Sequence, residues 1–540
     1  PYFVNPLISI FPRVAFAFVA GILFDLVKKT IKNKAVQIPL FIFISAFVTL
    51  LHSVLVLGML GICYFSDVNN KLLENGGAQG VQFVIAIILA RLLTPAQYGV
   101  VGIITIFITI ANVVVQSGFS TALVQKQKAD KVDFSSVCYF DLFVALVMYG
   151  ILYAAAPVIA SFYGIAELEA IVRVLSIVLF PGAVISVQTA YVSRNLEFKG
   201  LFLSTLAASV ASGVISIWMA ANGFGVWAMV GQQVSYYFVL MIALFFEVSW
   251  KPGLLFAFDR IKEMFSFGWK LLVASLIDTL FNNLYGLIMG KIYNEELLGA
   301  YNRGDQFPKL IVNNLGGAIQ SVLLPAFSAR QGSVHDVRHM VRRAIRLSSF
   351  LVLPMLFGLM AVADTLVLAL LGEQWLICVP YLRIMCVAYS FWPIHITNLQ
   401  AINAVGRSDV FLKLEVIKKG MGLTGLIIGA QFGPLVMISI KAVLDFFSTF
   451  VNAWPNKKLL GYSIFSQWMD IMPSLILSLV MSAVVYGLQF VLPGGPMVKL
   501  LLQIMAGMAV YGLLAWIFKM ESFAYLVQTI KGQLQNRRKG

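Results

Sequence analysis

The chain has 540 residues, 60% of them hydrophobic and only 12% charged. Soluble chains carry about 25% charged residues, and disorder needs low hydrophobicity with high charge, so both classes are excluded. A net charge of +15, from 39 Lys and Arg against 24 Asp and Glu, would suggest nucleic acid in a soluble protein. In a membrane protein it indicates basic loops on one face, and no nucleic-acid partner is expected.

Lipid leaves backbone groups only helices or closed barrels as ways to cross. Unbroken apolar runs such as 101–115 favour helices, because barrel strands alternate apolar and polar residues. The expected fold is therefore an all-α polytopic membrane protein.

In chain order, residues 1–65 come first: an apolar run over 3–26, a basic loop (Lys28, Lys29, Lys32, Lys34) and a second apolar run over 36–65. A single crossing by the second run would leave the basic loop outside, against the positive-inside tendency. A re-entrant or double crossing, bending near His52 and Ser53, removes the conflict. The segment is read as an extra N-terminal stretch without a signal peptide, since no small-residue cleavage site follows a short apolar core. With Pro1 as its first residue, the chain is expected to be a fragment or a processed product.

Stretches of about 20 apolar residues then predict about fourteen spans. They lie near 76–93, 99–119, 137–156, 171–192, 201–221, 225–247, 266–289, 307–327, 345–363, 377–403, 411–430, 433–453, 467–492 and 497–518. Placing Lys71 in the cytoplasm puts the basic loops around 126–131, 194–199, 251–262, 330–346, 407–419 and 457–458 on that same side, with the basic tail. The opposite side holds only Arg91, Lys291, Arg303 and Lys499. Both ends of this region are expected in the cytoplasm.

Residues 90–99 match 290–299 without a gap; each block has a base at its second position (Arg91, Lys291) and ends in Gly before a span. A second echo joins Arg173, followed by Pro181, to Arg383, followed by Pro393. Six spans separate the partners, so the repeat is parallel. This predicts a six-helix lobe over 66–250, a second over 251–458, a central cleft, and two extra helices with a basic tail over 459–540.

Catalytic motifs are absent. The chain holds no G-x-x-x-x-G-K-[ST], H-E-x-x-H or G-x-S-x-G, so an enzyme is not expected, nor a cofactor. Cys63, Cys138, Cys378 and Cys386 form no C-x-x-C pair. His335 and His339 are four apart but lie in a basic loop, which favours a solvated face over a metal site.

Polar residues inside spans are the informative ones, because they cost free energy there and usually face a cavity or a partner. Thr105, Thr109, Asn112 and Gln116 form one stripe on the second span. Lys309, Asn313 and Gln320 form a stripe on the eighth, and Ser275, Asp278, Asn282 and Tyr285 share a face of the seventh. Asn75, Gln79 and Gln82 do so on the first, Gln82 being the repeat partner of Asn282. Such groups either line a hydrophilic cleft or bond helix to helix. Lys441 and Asp445, one turn apart, either neutralise each other or couple an ion, as Asp278 could. Arg173 and Arg383 either grip phosphate through their planar forks or snorkel to an interface.

The blocks 85–99 (Ile85 to Gly99), 116–125 (Gln116 to Gln125) and 298–303 (Leu298 to Arg303) resemble the polysaccharide transport branch of the multidrug/oligosaccharidyl-lipid/polysaccharide exporters, and within it the Wzx and teichuronic-acid exporter group. The resemblance covers about 71–520. It implies fourteen helices in two lobes and flipping of undecaprenyl-diphosphate-linked oligosaccharide across a bacterial cytoplasmic membrane by alternating access. Membrane lipids, glycosyltransferases and a polymerase of the same pathway are the further partners it implies. Residues 5–13 are similar to substrate-binding components of energy-coupling-factor vitamin transporters, which suggests a chimeric N-terminus. The alternatives are a cation-coupled multidrug exporter, which would need acids in the first two helices, and a membrane polymerase or ligase, which would need a long outer loop.

Overall fold

A computed structural model describes residues 68–116, 118–126, 129–330 and 333–528. The expectations about residues 1–65, Lys128 and the tail bases Lys531, Arg537, Arg538 and Lys539 fall outside them. Between Lys291 and Ile292 the chain divides into two compact units.

The first unit builds α1 (Val68–Leu92), α2 (Pro95–Gln116), α3 (Phe119–Gln125), α4 (Lys131–Tyr163), α5 (Glu167–Leu175), α6 (Leu179–Asn195), α7 (Phe198–Ala221), α8 (Val226–Glu247) and α9 (Phe258–Ile292). The second builds α10 (Glu295–Ser328), α11 (Val334–Ala361), α12 (Ala363–Leu370), α13 (Val379–Ser390) and α14 (Trp392–Ala404). It continues with α15 (Ser408–Gly429), α16 (Pro434–Leu460), α17 (Ile464–Val491) and α18 (Pro496–Ile517). Among the described residues all regular structure is helical.

Each of the fourteen predicted stretches falls on helix, but eleven helices among the described residues are long and apolar enough to cross a membrane. The count of fourteen is thus not reached by that measure. In α1 only Gly80–Leu92 is apolar. The other two helices that fall short are rich in charge: α10 carries Glu295, Glu296, Arg303, Asp305 and Lys309, and α15 carries Asp409, Lys413, Glu415, Lys418 and Lys419. Elsewhere large apolar side chains such as Leu501, Met505 and Met508 on α18 face outward, as helices bathed in lipid require.

The sequence repeat has a structural meaning. In the first copy Thr94 and Gln97 form a capping box: the Thr94 N–H donates to Gln97 Oε1 at 2.9 Å and the Gln97 N–H to Thr94 Oγ1 at 3.4 Å, with Pro95 at the first helical position, where no N–H is needed. In the second, Asn294 at the matching place caps α10 by accepting from the Leu297 N–H at 2.8 Å. Both copies therefore encode one sharp helix-to-helix joint. The second echo marks broken spans. The stretch 171–192 is interrupted by a short 3-10 turn, Ser176–Val178, and the stretch 377–403 splits at Phe391, ahead of Pro393; a proline lacks the N–H to continue the ladder.

The core of the first unit gathers Phe119, Phe134, Trp250 and Met264. Small residues Ser204, Ala208, Ser212 and Ser216 lie buried along α7, spaced so that neighbouring helices approach closely. In the second unit Gly304 plays that role. A Cβ there would lie 2.8 Å from the Cys378 carbonyl oxygen and 2.9 Å from the Leu382 nitrogen, both of them backbone atoms that cannot step aside. Gly304→Ala is expected to cost about 1–3 kcal/mol, the usual price of overpacking. The thermal midpoint of the purified chain checks this; an unchanged midpoint would contradict the close packing.

Candidate functional site

The second unit contains a polar seam to which most of its long helices contribute. It starts on α10, where Asp305 has a side chain only 15% exposed and Lys309 stands 3.8 Å away, one turn on and 56% exposed. From α13 the Tyr389 hydroxyl donates to Asp305 at 2.9 Å. The ring of Tyr389 lies 5.7 Å from the Lys441 ammonium of α16, a favourable cation–π geometry. Lys441 in turn donates to Asp445 at 2.8 Å.

The seam continues on α16 through Asn452 and Asn456. Asn452 meets the Nδ1 atom of His395 on α14 at 2.9 Å. Asn456 donates to Asn398 at 2.5 Å, and Asn398 to Gln467 of α17 at 2.7 Å. At its far end Asp470 on α17 accepts from Arg342, Arg346 and Tyr462. On α15, Lys418 pairs with Glu415 at 2.6 Å.

Each lysine and arginine named in the seam has a carboxylate within ion-pair distance, Arg342 and Arg346 sharing Asp470. Pairing is what makes charge tolerable at membrane depth. Lys309 is the most exposed of the four lysine and aspartate side chains at the α10 and α16 end, and its pair is the longest. That arrangement can exchange a carboxylate for another anion without a large desolvation cost.

The first unit holds a separate, uncharged polar stripe. Thr105 and Thr109 bond back to the carbonyls of Val101 and Thr105 at 2.8 and 2.7 Å, while Gln233 of α8 donates to Thr105 at 3.3 Å. Asn112 sits against α6, its Oδ1 3.0 Å from where a Cβ on Gly182 would stand. Gln82 donates to Ser209 of α7 at 3.3 Å. Gln116 is exposed at the helix end and Arg91 is half-buried in the last turn of α1.

Other residues singled out from sequence have local roles. Asp278 accepts from Asn282 at 2.9 Å on an exposed face of α9; Asn313 is exposed on α10. Arg173 pairs with Glu169 at 2.9 Å and lies 4.5 Å from the Tyr153 ring. Arg383 repeats that pattern with Asp364 and the Tyr486 ring. Each arginine thus already holds a carboxylate and an aromatic face. The side chains of Asn75, Gln79 and Gln320 lie outside the described residues.

Outside the spans, charges cap and clamp. The Asp133 N–H lowers the Asp130 carboxyl below its usual range and completes the capping box that starts α4. At the head of α15 the Arg407 fork holds the Asp409 carboxyl down at about 2. Among the described residues no three His, Cys, Asp or Glu side chains converge as metal ligands would.

Sequence spacing had singled out Lys309, Lys441 and Asp445; the structure places them in one cluster. Asp305, Tyr389, His395, Asn452 and Asp470 were missed. For α16 a signal existed, because Lys441, Asp445, Asn452 and Asn456 fall at i, i+4, i+11 and i+15, a single helical face. For Tyr389 there was none, since an aromatic residue in an apolar span reads as packing.

Comparison with known proteins places this architecture. The model of the family described as polysaccharide biosynthesis protein matches residues 88–380. The chain is 24% identical to the teichuronic acid biosynthesis protein TuaB of Bacillus subtilis over 418 residues, 75% of this chain and 85% of that one. It is also 24% identical to the succinoglycan biosynthesis transport protein ExoT of Rhizobium meliloti over 370 residues, 68% of this chain and 75% of that one. Among solved structures, the lipid II flippase MurJ in an inward closed conformation superposes with a TM-score of 0.68 at 13% identity, covering 83% of this chain and 98% of that one. The fold is of that kind.

Proposed function

The chain belongs to the polysaccharide biosynthesis protein family, and on that footing we propose that it is a flippase for lipid-linked oligosaccharide. The cargo is a cell-surface polysaccharide repeat unit on undecaprenyl diphosphate, carried from the cytoplasmic to the outer leaflet of a bacterial cytoplasmic membrane by alternating access. The observation that carries this reading is the paired polar seam through Asp305, Lys309, Tyr389, Lys441 and Asp445 inside an apolar helical unit.

A diphosphate head needs cations that can turn from a carboxylate to a phosphate, and Lys309 is placed for that exchange. Sugar hydroxyls need hydrogen-bonding side chains, which Thr109, Asn112 and Gln116 offer in the first unit. Arg91, Asp278, Asn282, Asn313, Arg173 and Arg383 are the other polar positions assigned to the path, and Asp278, Lys441 and Asp445 are the assigned ion-coupling groups. The polyprenyl tail stays in lipid. An inside-negative potential drives an anionic head outward, by roughly 2.3 kcal/mol per charge per 100 mV.

Carriage leaves the cargo's bonds intact, so the protein is read as a transporter and not an enzyme. The transport role in the name of the relative ExoT supports this. The division of Lys and Arg along the chain supports a cytoplasmic location for both ends of the 71–520 region. Glycosyltransferases and a polymerase of the same pathway complete the proposed partners.

Expression in a bacterium deleted for its own oligosaccharide exporter tests the reading. Surface polysaccharide is expected to return. Its continued absence, together with efflux of cationic dyes, would favour a multidrug exporter instead.

A further inference from the structure

Where α11 turns from basic to apolar, it borders a cavity of about 510 Å³ lined by His339, Arg342, Arg343, Arg346, Glu521 and Tyr525, among others. Arg342 and Arg346 are fixed in place by Asp470, and Arg346 also reaches Glu521 at 2.7 Å. Arg343 is different. Its guanidinium lies 4.1 Å from the centre of the Tyr525 ring, and among the described residues no carboxylate forms an ion pair with it.

Three guanidiniums thus meet two carboxylates, leaving one positive charge around a cavity with a flat aromatic wall. The surroundings are not those of a soluble-ligand site. Further along α11, Leu351 and Met355 are exposed, and the beginning of α17 exposes Met469, Met472 and Ile476. An anion seated by Arg343 would have cations on one side and lipid-facing apolar surface on the other.

We propose that this cavity binds the phosphodiester headgroup of an anionic membrane phospholipid, the Arg343 fork holding the phosphate and the acyl chains lying along α11 and α17. Planar guanidinium forks match phosphate oxygens in pairs. Interfacial arginine and tyrosine suit the boundary between headgroup and hydrocarbon. A free phosphate would use only the charged half of the site. The inference requires that the chain spans a membrane, and it stands apart from the identity of the transported cargo.

The test uses the full chain purified in neutral detergent, titrated with phosphatidylglycerol, phosphatidylcholine or inorganic phosphate, with retained lipid and thermal midpoint as readouts. Phosphatidylglycerol is expected to bind and stabilise; the other two are not. Arg343→Gln should need about tenfold more lipid for the same effect, one forked phosphate contact being worth about that factor. Tyr525→Ala, which removes the ring beneath Arg343, should weaken binding in the same direction and serves if the first variant does not fold. Lys457→Gln, on α16 and outside the cavity, should bind as the parent chain does. Unchanged binding by the cavity variants overturns the proposal. So does equal weakening by Lys457→Gln, which would mean diffuse attraction. Saturation by inorganic phosphate at the same concentrations would make it a free-anion site and overturn the lipid assignment.

Discussion

Exchanging Lys441 and Asp445 for one another lowers transport at least about tenfold, even though the swapped chain keeps an ion pair one turn apart. The pair is part of a longer arrangement. Tyr389 donates its hydroxyl to Asp305 and offers its ring to the Lys441 ammonium. After the swap a carboxylate stands where the ammonium did, facing the negative side of that ring and nearer to Asp305. The seam then carries its charges in the wrong order, and the single substitution Lys441→Gln should be comparably damaging because it leaves Asp445 without its base. A tenfold loss corresponds to about 1.4 kcal/mol, modest for disturbed charges at membrane depth. Uptake into vesicles, normalised to folded protein, measures it. Full activity of the swapped chain would reduce the pair to mutual neutralisation.

Asp470→Ala has the largest expected effect on stability. The Asp470 side chain is 3% exposed and accepts from Arg342 at 2.7 and 2.9 Å, from Arg346 at 2.9 and 2.7 Å, and from the Tyr462 hydroxyl at 2.7 Å. Removing it leaves the Arg342 guanidinium and the Tyr462 hydroxyl without their acceptor and Arg346 with Glu521 alone. Breaking a buried pair costs about 3–5 kcal/mol. Here both arginines are partly exposed and water can solvate them, so about 2–3 kcal/mol is expected. The detergent-solubilised chain should lose its monodisperse form at a temperature lower by roughly 5 °C or more. A midpoint within a degree of the parent's would show that the three partners find other acceptors.

Much of the fold was legible because a bilayer imposes a length and an apolarity on each crossing helix. The joints were legible too: Thr94 with Gln97, and Asn294, are short-range caps whose partners lie three residues away. The breaks before Pro393 and around Ser176 follow from proline chemistry close in sequence. What stayed hidden was long-range. Asp470 and its arginines are 124 and 128 residues apart, and nothing in the spacing of either helix names the other. Arg342 and Arg346 therefore read as loop bases that set orientation, when they also hold α11 to α17. Asp305 stands four residues before Lys309, a spacing that could have been paired by inspection. Arg173 and Arg383 were open to phosphate or to an interface; Glu169, four residues before Arg173, could have been paired by spacing, whereas Asp364 lies 19 residues from Arg383.

The most direct test of the flippase account is transfer between leaflets. The full chain, reconstituted in vesicles of bacterial phospholipid, is given fluorescent undecaprenyl-diphosphate oligosaccharide whose sugar can be modified only from outside. Protein-dependent movement of the label from one leaflet to the other, lost in the Lys441–Asp445 exchange, is the result the account predicts. Folded protein that leaves the label where it was placed would contradict it.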